Sequence, residues 1–209
     1  MDLHDFPLTN TMKNQMKQNL TNILLETNKL IHGLDCDQYC ILCDFEALQK
    51  QFNEIQAITA SYYLQQYLSP FTQNHMTLSL AAHHLSERRH GALIVIERNQ
   101  PVGNLIQKGV PIGATLTSTL LESIFYPGTP LHDGAVLIKG NEIISAANVL
   151  PLASDIVVQN KIGTRHRAAI GMSQQSDALV LVVSEETGRI SFSMDGILYP
   201  IHSTNNPLI

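Results

Sequence analysis

Three short strings carry residue types that could do chemistry together. In Gly163-Thr-Arg-His-Arg-Ala-Ala-Ile-Gly171, two arginines and a histidine directly follow Thr164, the residue expected to cap a helix. Cations are misplaced at a helix N-terminus, where the backbone dipole already presents partial positive charge. Each costs about 0.3–1 kcal/mol there unless an anion sits among them. Free N–H groups, the Thr164 hydroxyl and the forked guanidiniums of Arg165 and Arg167, with His166 between them, would form a phosphate cradle. In Leu131-His-Asp-Gly-Ala135, Asp133 stands at the mouth of an apolar strand, and Gly134 would let backbone approach a ligand that a side chain would block. Asp-Gly is also an ordinary turn dipeptide. In Ser184-Glu-Glu-Thr-Gly188, two carboxylates occupy a tight turn after another apolar strand, where Glu185 or Glu186 could aid a divalent cation or orient the cradle.

A carboxylate, a cationic cradle and a second acidic turn suit metal-assisted nucleotide chemistry better than a hydrolytic triad. Mg²⁺ takes carboxylate and phosphate oxygens and keeps several waters, so one well-placed Asp suffices. A Walker loop, a Gly-x-Gly-x-x-Gly fingerprint and a His-Glu-x-x-His string are all absent, and His83-His84 reads as helix surface. Cys36, Cys40 and Cys43 fall within eight residues, the wrong count and distribution for a secreted disulfide framework, so reduced thiols are expected. His32 would complete four metal ligands, but all would come from one stretch of chain, and helical cysteines are the plainer reading.

The elements that must position these strings can be read from periodicity. From about Thr11 to Ile31, Met12, Met16, Leu20, Ile23, Leu24, Leu30 and Ile31 recur at helical spacing. A second helix runs from about Asp44, read as its N-cap, to Leu68 before Pro70. Residues 1–70 thus form a helical hairpin without an obvious catalytic group, whose work is packing, assembly or regulation. Residues 71–209 alternate helices and strands. A helix over about 73–86 leads into Ala92–Ile96, a continuous apolar run that should be a central strand. A segment punctuated by Gly103, Gly109 and Gly113 follows, then a helix from about Thr117 to Phe125. Ala135–Lys139 and Glu142–Val149, joined by Gly140-Asn141, read as an antiparallel hairpin. A helix from Gly163-Thr164 to about Met172 and a strand pair, Ala178–Val183 with Arg189–Ser193, complete an α/β fold with a mixed sheet flanked by helices.

Composition narrows the partners. With 44% hydrophobic and 15% charged residues in 209, the chain is folded rather than a solvating tail. Thirteen Lys and Arg against 18 Asp and Glu give a net charge of -5, which argues against a duplex nucleic-acid stripe but permits one local cationic pocket. The longest apolar runs fall far short of the ~18 residues needed to cross a bilayer. No basic-then-apolar leader opens the chain, so no membrane and a cytoplasmic address are expected.

Taken together, the strings resemble the signatures of the bacterial and archaeal diadenylate cyclases, which condense two ATP into cyclic di-AMP and two pyrophosphates. Asp133-Gly134-Ala135 matches within Pro130-Leu-His-Asp-Gly-Ala-Val136, Arg165-His166-Arg167 within Gly163-Thr-Arg-His-Arg-Ala-Ala169, and Val183-Ser-Glu-Glu-Thr-Gly188 matches as well. The likeness spans about Leu78 to Ser193. It implies a diadenylate-cyclase-type domain with ATP in a surface cleft and Mg²⁺ or Mn²⁺ as cofactor. Asp133 would bind the metal and help activate the ribose 3′-hydroxyl, and Gly134 and Ala135 would lie against the nucleotide. Leu150, in a Leu-Pro-Leu string, would contact adenine. Gly163, Thr164, Arg165, His166 and Arg167 would hold the triphosphate, and Glu186 would support the metal and phosphate end. Gln174-Gln175-Ser176 replaces a stretch that the family more often makes acidic.

Because the product needs two antiparallel ATP molecules, one cleft holds half of the pair. A homo-oligomer with face-to-face sites is therefore implied, a hexamer among the arrangements that qualify. The paired N-terminal helices resemble the soluble, sporulation-associated class, in which such a hairpin restrains activity and influences assembly. The competing reading is a catalytically inactive adenine-nucleotide sensor or assembly module of the same fold.

Overall fold

The structure is a computed structural model in which residues 7–34, 41–153 and 162–201 are described. The chain divides into two compact units, Met1–Tyr63 and Leu64–Ile209.

The first unit is helical. α1 (Asn10–Gly33) begins after Thr9, whose extended backbone and hydroxyl accept the Met12 amide and satisfy one of the exposed N–H groups of the first turn. α2 spans Ile41–Leu68, so Asp44 lies inside its first turn and does not cap it. A carboxylate is favourable at either position, since both adjoin the positive end of the helix dipole. The helices run antiparallel: Thr59 Oγ1 lies 3.3 Å from Met16 Sδ, and the Tyr62 hydroxyl donates to the Pro7 carbonyl at 3.3 Å. Cys43 is disulfide-bonded, against the expectation of reduced thiols. Cys36 and Cys40 lie outside the described residues.

The second unit contains α3 (His75–Glu87), β1 (Ala92–Glu97), β2 (Val110–Thr115), α4 (Ser118–Ile124), β3 (Ala135–Lys139), β4 (Glu142–Asn148), α5 (Thr164–Gln175), β5 (Leu179–Val183), β6 (Ile190–Met194) and β7 (Ile197–Ile201). The strands form one sheet in the order β2-β4-β3-β1-β5-β6-β7. β1 is central and buried throughout, as its unbroken apolar run requires. It pairs parallel with β3, and the other pairings are antiparallel.

Side chains alternate across the sheet. Leu93, Val95, Val180 and Val182 pack in one cluster with Ala168, Ala169 and Met172 of α5, while the intervening Ile94 and Ile96 are buried on the other face. Two edge strands, β2 and β7, escape the reading from periodicity. Each carries a proline, Pro111 or Pro200, and β2 also carries Gly113, residues that an edge tolerates because part of its backbone has no ladder partner.

Candidate active site

Strand register decides which residues share an end of the sheet. Ile94 pairs with Val136, Ala92 with Val183, and Val183 with Ile190. The starts of β1, β3 and β6 and the end of β5 therefore lie at one end. Asp133, two residues before β3, and Gly91, the residue before β1, both lie at that end. Arg165 lies over that same glycine: a Cβ on Gly91 would fall 2.6 Å from Arg165 Nη1 and 3.1 Å from Glu185 Cβ. Only a residue without a side chain leaves the guanidinium its seat.

Asp133 itself is exposed. Gly134 follows at φ +108°, and a Cβ there would lie 2.8 Å from the Asn148 carbonyl oxygen and 2.9 Å from Ala147 C. The close neighbour that demands glycine is thus the β4 backbone, where the sequence suggested a ligand. Ala147 has φ +53° at a register shift between β3 and β4, and this bulge presses β4 toward the corner. Ala135 opens β3 opposite Asn148.

Asn148 is 1% exposed and makes three hydrogen bonds. Its Nδ2 donates to the Ala135 carbonyl at 2.7 Å, and its Oδ1 accepts from Ser145 Oγ at 2.9 Å and from the Gly109 amide at 3.0 Å. Sequence reasoning missed this residue. The available signal was a lone amide side chain ending a largely apolar strand.

From β4 the chain crosses to α5. The Ala153 amide donates to the Arg167 carbonyl at 3.2 Å, and Gly171 admits the Pro151–Ala153 backbone so closely that a Cβ would sit 2.4 Å from the Pro151 oxygen. Four residues lie between Asn148 and Ala153, five peptide steps with a reach of at most about 18 Å, so the Asp133 corner and α5 are tied by a short strap. Leu150 within it is 6% exposed and belongs to the core cluster, so only an edge of its side chain is available to a base.

The cap of α5 is Gly163, at φ -62° and ψ 159°, and Thr164 is the first helical residue, which corrects its expected role as cap. Glycine has no side chain to turn back on the first amides, so these remain open to an external acceptor. No acidic residue stands in that turn.

Beside it is a cavity of about 630 Å³, lined by Gly163, Thr164, Arg165 and His166 from the α5 end and by Glu185, Glu186 and Arg189 around the β5–β6 turn, among others. Asp133, Gly134, Ala135, Leu150 and Arg167 do not line it. Arg167 is exposed on the first turn of α5.

Arg165 Nη1 and Glu185 Oε2 are 2.7 Å apart, so the carboxylate that holds the guanidinium is Glu185, while Glu186 faces the cavity. The turn that carries both is braced: the Ser184 carbonyl accepts the Gly188 amide at 2.9 Å, and Gly188, at φ +72°, would place a Cβ 2.7 Å from the Ser86 carbonyl of α3. His166 is held below its ordinary value of 6.5, first by burial and next by the charge of Arg189, with Glu186 opposing and Arg165 adding slightly. Its imidazole is therefore neutral at pH 7. Among the described residues no three His, Cys, Asp or Glu side chains cluster as a metal site.

The family model described as DisA bacterial checkpoint controller nucleotide-binding matches residues 79–198, and that described as diadenylate cyclase CdaS, N-terminal, matches residues 4–71. Diadenylate cyclase CdaS of Bacillus thuringiensis is 51% identical over 95% of this chain and 99% of its own length. Cyclic di-AMP synthase CdaS of Bacillus subtilis is 50% identical over 93% of each. The crystal structure of a "hypothetical membrane spanning protein" from Bacillus cereus superposes with a TM-score of 0.76 at 52% identity, covering 92% of this chain and 94% of that one. The crystal structure of DacA from Staphylococcus aureus, a double mutant, gives 0.58 at 42% identity, covering 61% and 85%. No helix among the described residues is long and apolar enough to cross a membrane. A cationic helix start and a carboxylate corner meet at one sheet end, and both the sheet unit and the helices before it match in sequence, so this chain belongs to the diadenylate cyclase family of enzymes.

Proposed function

We propose that this protein condenses two ATP into cyclic di-AMP. Each ribose 3′-oxygen loses its proton and forms a bond to the α-phosphorus of the other ATP. The bond from that phosphorus to pyrophosphate breaks, so two phosphodiesters form and two pyrophosphates leave. One observation carries this reading: Arg165 lies over Gly91, just before β1, at the end of the sheet where Asp133 precedes β3. Family membership and the open amides at the start of α5 support it.

The triphosphate lies along the α5 end. Thr164 and the free amides face its oxygens, the Arg165 guanidinium is set in advance by Glu185, and neutral His166 donates one hydrogen bond. Arg167 approaches from the strap side, and Leu150 offers its edge to adenine. Asp133, exposed and accepting no hydrogen bond among the described residues, is the carboxylate for a hard divalent cation. The donor set fits Mg²⁺ or Mn²⁺: one protein carboxylate, phosphate oxygens and water, with Glu186 beside the phosphate end. When bound, the cation neutralises charge developing on the phosphoryl group and the departing pyrophosphate.

One cleft holds one ATP, so a second protomer, facing the first, supplies the other and orients the two reactants. Residues 1–70 serve regulation and assembly, and residues 71–209 carry the chemistry. Exposed Leu24, Leu25, Leu42 and Phe52 on the N-terminal helices support an assembly role.

The test is incubation of the full chain with ATP and Mg²⁺ or Mn²⁺, followed by mass analysis. Cyclic di-AMP and pyrophosphate should form in a ratio of about one to two, the stoichiometry of two phosphoryl transfers. Asp133→Asn should reduce synthesis by about 100-fold or more while ATP still binds. Binding without any product would make the protein a nucleotide sensor, and a near-normal rate in the Asp133→Asn variant would remove Asp133 from the reaction.

A further inference from the structure

Two arginines and a histidine face the cavity beside α5: Arg165, His166 and Arg189. They are not equivalent. Arg165 is committed to Glu185 at 2.7 Å. Arg189 makes no ion pair among the described residues, and its side chain meets only Thr187, with Nε 3.4 Å from Oγ1.

Its backbone is nevertheless fixed. The Arg189 carbonyl accepts the Ser184 amide at 3.0 Å, its own amide donates to Thr187 Oγ1 at 3.2 Å, and the next residue, Ile190, is 2% exposed. Its exposed guanidinium, carried on this held backbone, lines a cavity that also holds a second guanidinium and an imidazole. Its charge also acts on His166 more strongly than that of Arg165. With Arg165 held by Glu185, the Arg189 guanidinium and the open first turn of α5 face the same hollow and suit an anion there.

Position decides which part of the substrate that anion is. The cavity does not reach Asp133, whereas the α-phosphorus must lie within reach of the 3′-oxygen that Asp133 serves. The β- and γ-phosphates, which leave as pyrophosphate, therefore fill the cavity. We infer that Arg189 is a further substrate-binding residue that grips the terminal phosphates of ATP, so that this site selects a triphosphate over a monophosphate and holds pyrophosphate after the reaction. The inference rests on the proposed reading of this cavity as the triphosphate site.

Calorimetry on the full chain tests it with three probes: 3′-deoxy-ATP, which lacks the attacking hydroxyl, inorganic pyrophosphate and AMP. Arg189→Gln should weaken 3′-deoxy-ATP and pyrophosphate about tenfold, the usual scale for a lost hydrogen bond to a charged group, and leave AMP within about twofold. Arg189→Lys should recover part of the loss, because it restores charge without the fork. In turnover, Arg189→Gln should also relieve inhibition by added pyrophosphate. Unchanged affinity for pyrophosphate in Arg189→Gln overturns the inference, as does an equal loss for AMP, which would mark a merely structural role. If the wild-type chain binds neither 3′-deoxy-ATP nor pyrophosphate, the reading of the cavity itself fails.

Discussion

The two sides of the site are held in place by opposite physics. The Asp133 corner is fixed by neutral, buried hydrogen bonds from Asn148 and by backbone packed so closely at Gly134 that no side chain fits. The α5 side is fixed by charge: Arg165, 21% exposed, against Glu185, 61% exposed, over a helix start that has no side-chain cap. Buried neutral bonds ignore salt and mild changes of pH, while exposed ion pairs are screened and contribute about 0–1 kcal/mol each. On the proposed reading, the corner would set the direction of attack before substrate arrives. The cradle has carried unfavourable charge all along, and the incoming triphosphate completes it.

Removing the buried amide should break this contrast most severely. Asn148→Ala leaves the buried Ala135 carbonyl and the half-buried Gly109 amide without their side-chain partner. Stability should fall by about 2–4 kcal/mol, and kcat should drop by roughly tenfold as the corner loosens, with KM for ATP nearly unchanged. Thermal melts and steady-state kinetics at low and high salt check this, and neither loss should depend on salt. A change confined to KM would show that the corner does not orient the reaction.

How much of this was legible in the sequence depended on the range of the interaction. The α5 start announced itself because Arg165, His166 and Arg167 violate a rule written within one helical turn, and β1 because its apolar run is continuous. Gly163 could be named, but its role as cap was given to Thr164: side-chain preference favours threonine, whereas the chain turns extended one residue earlier. The edge strands β2 and β7 lacked a local pattern, since Pro111, Gly113 and Pro200 mask it. Gly91, Asn148 and Arg189 were invisible for a stronger reason. Each matters through a partner far along the chain, namely Arg165, Ala135 with Gly109, and the α5 cavity, and no local pattern encodes such pairings. Choosing between Glu185 and Glu186 as partner of Arg165 likewise required the turn's geometry.

Glu185→Gln tests the charged side. The amide can still accept a hydrogen bond from Arg165 but no longer fixes it by charge, so KM for ATP should change by about two- to fivefold, with kcat and melting temperature close to wild type. The difference should shrink as salt rises, opposite to the behaviour of Asn148→Ala. A salt-independent loss of kcat in Glu185→Gln would erase the distinction between the two sides.

The smallest effect is a pH slope, and its sign follows from His166. Burial first, then Arg189 and more weakly Arg165, hold the imidazole below 6.5, against the pull of Glu186. The fold thus favours the neutral ring, and the associated stability is present above pH 6.5 and lost as pH falls through the lower folded value. Substrate reverses the preference, because phosphate oxygens favour imidazolium. Affinity for 3′-deoxy-ATP should therefore rise as pH falls from neutral toward that lower value, by about two- to fivefold, the size of one added charge-assisted bond. Protonation of the nucleotide itself opposes this trend equally in wild type and His166→Gln, so the difference between their slopes isolates the ring. Arg189→Gln should move the wild-type slope to higher pH, since one of the charges depressing His166 is gone. Identical slopes in wild type and His166→Gln would mean that the ring does not touch phosphate, and the adjustable half of the site would then consist of Thr164 and the arginines alone.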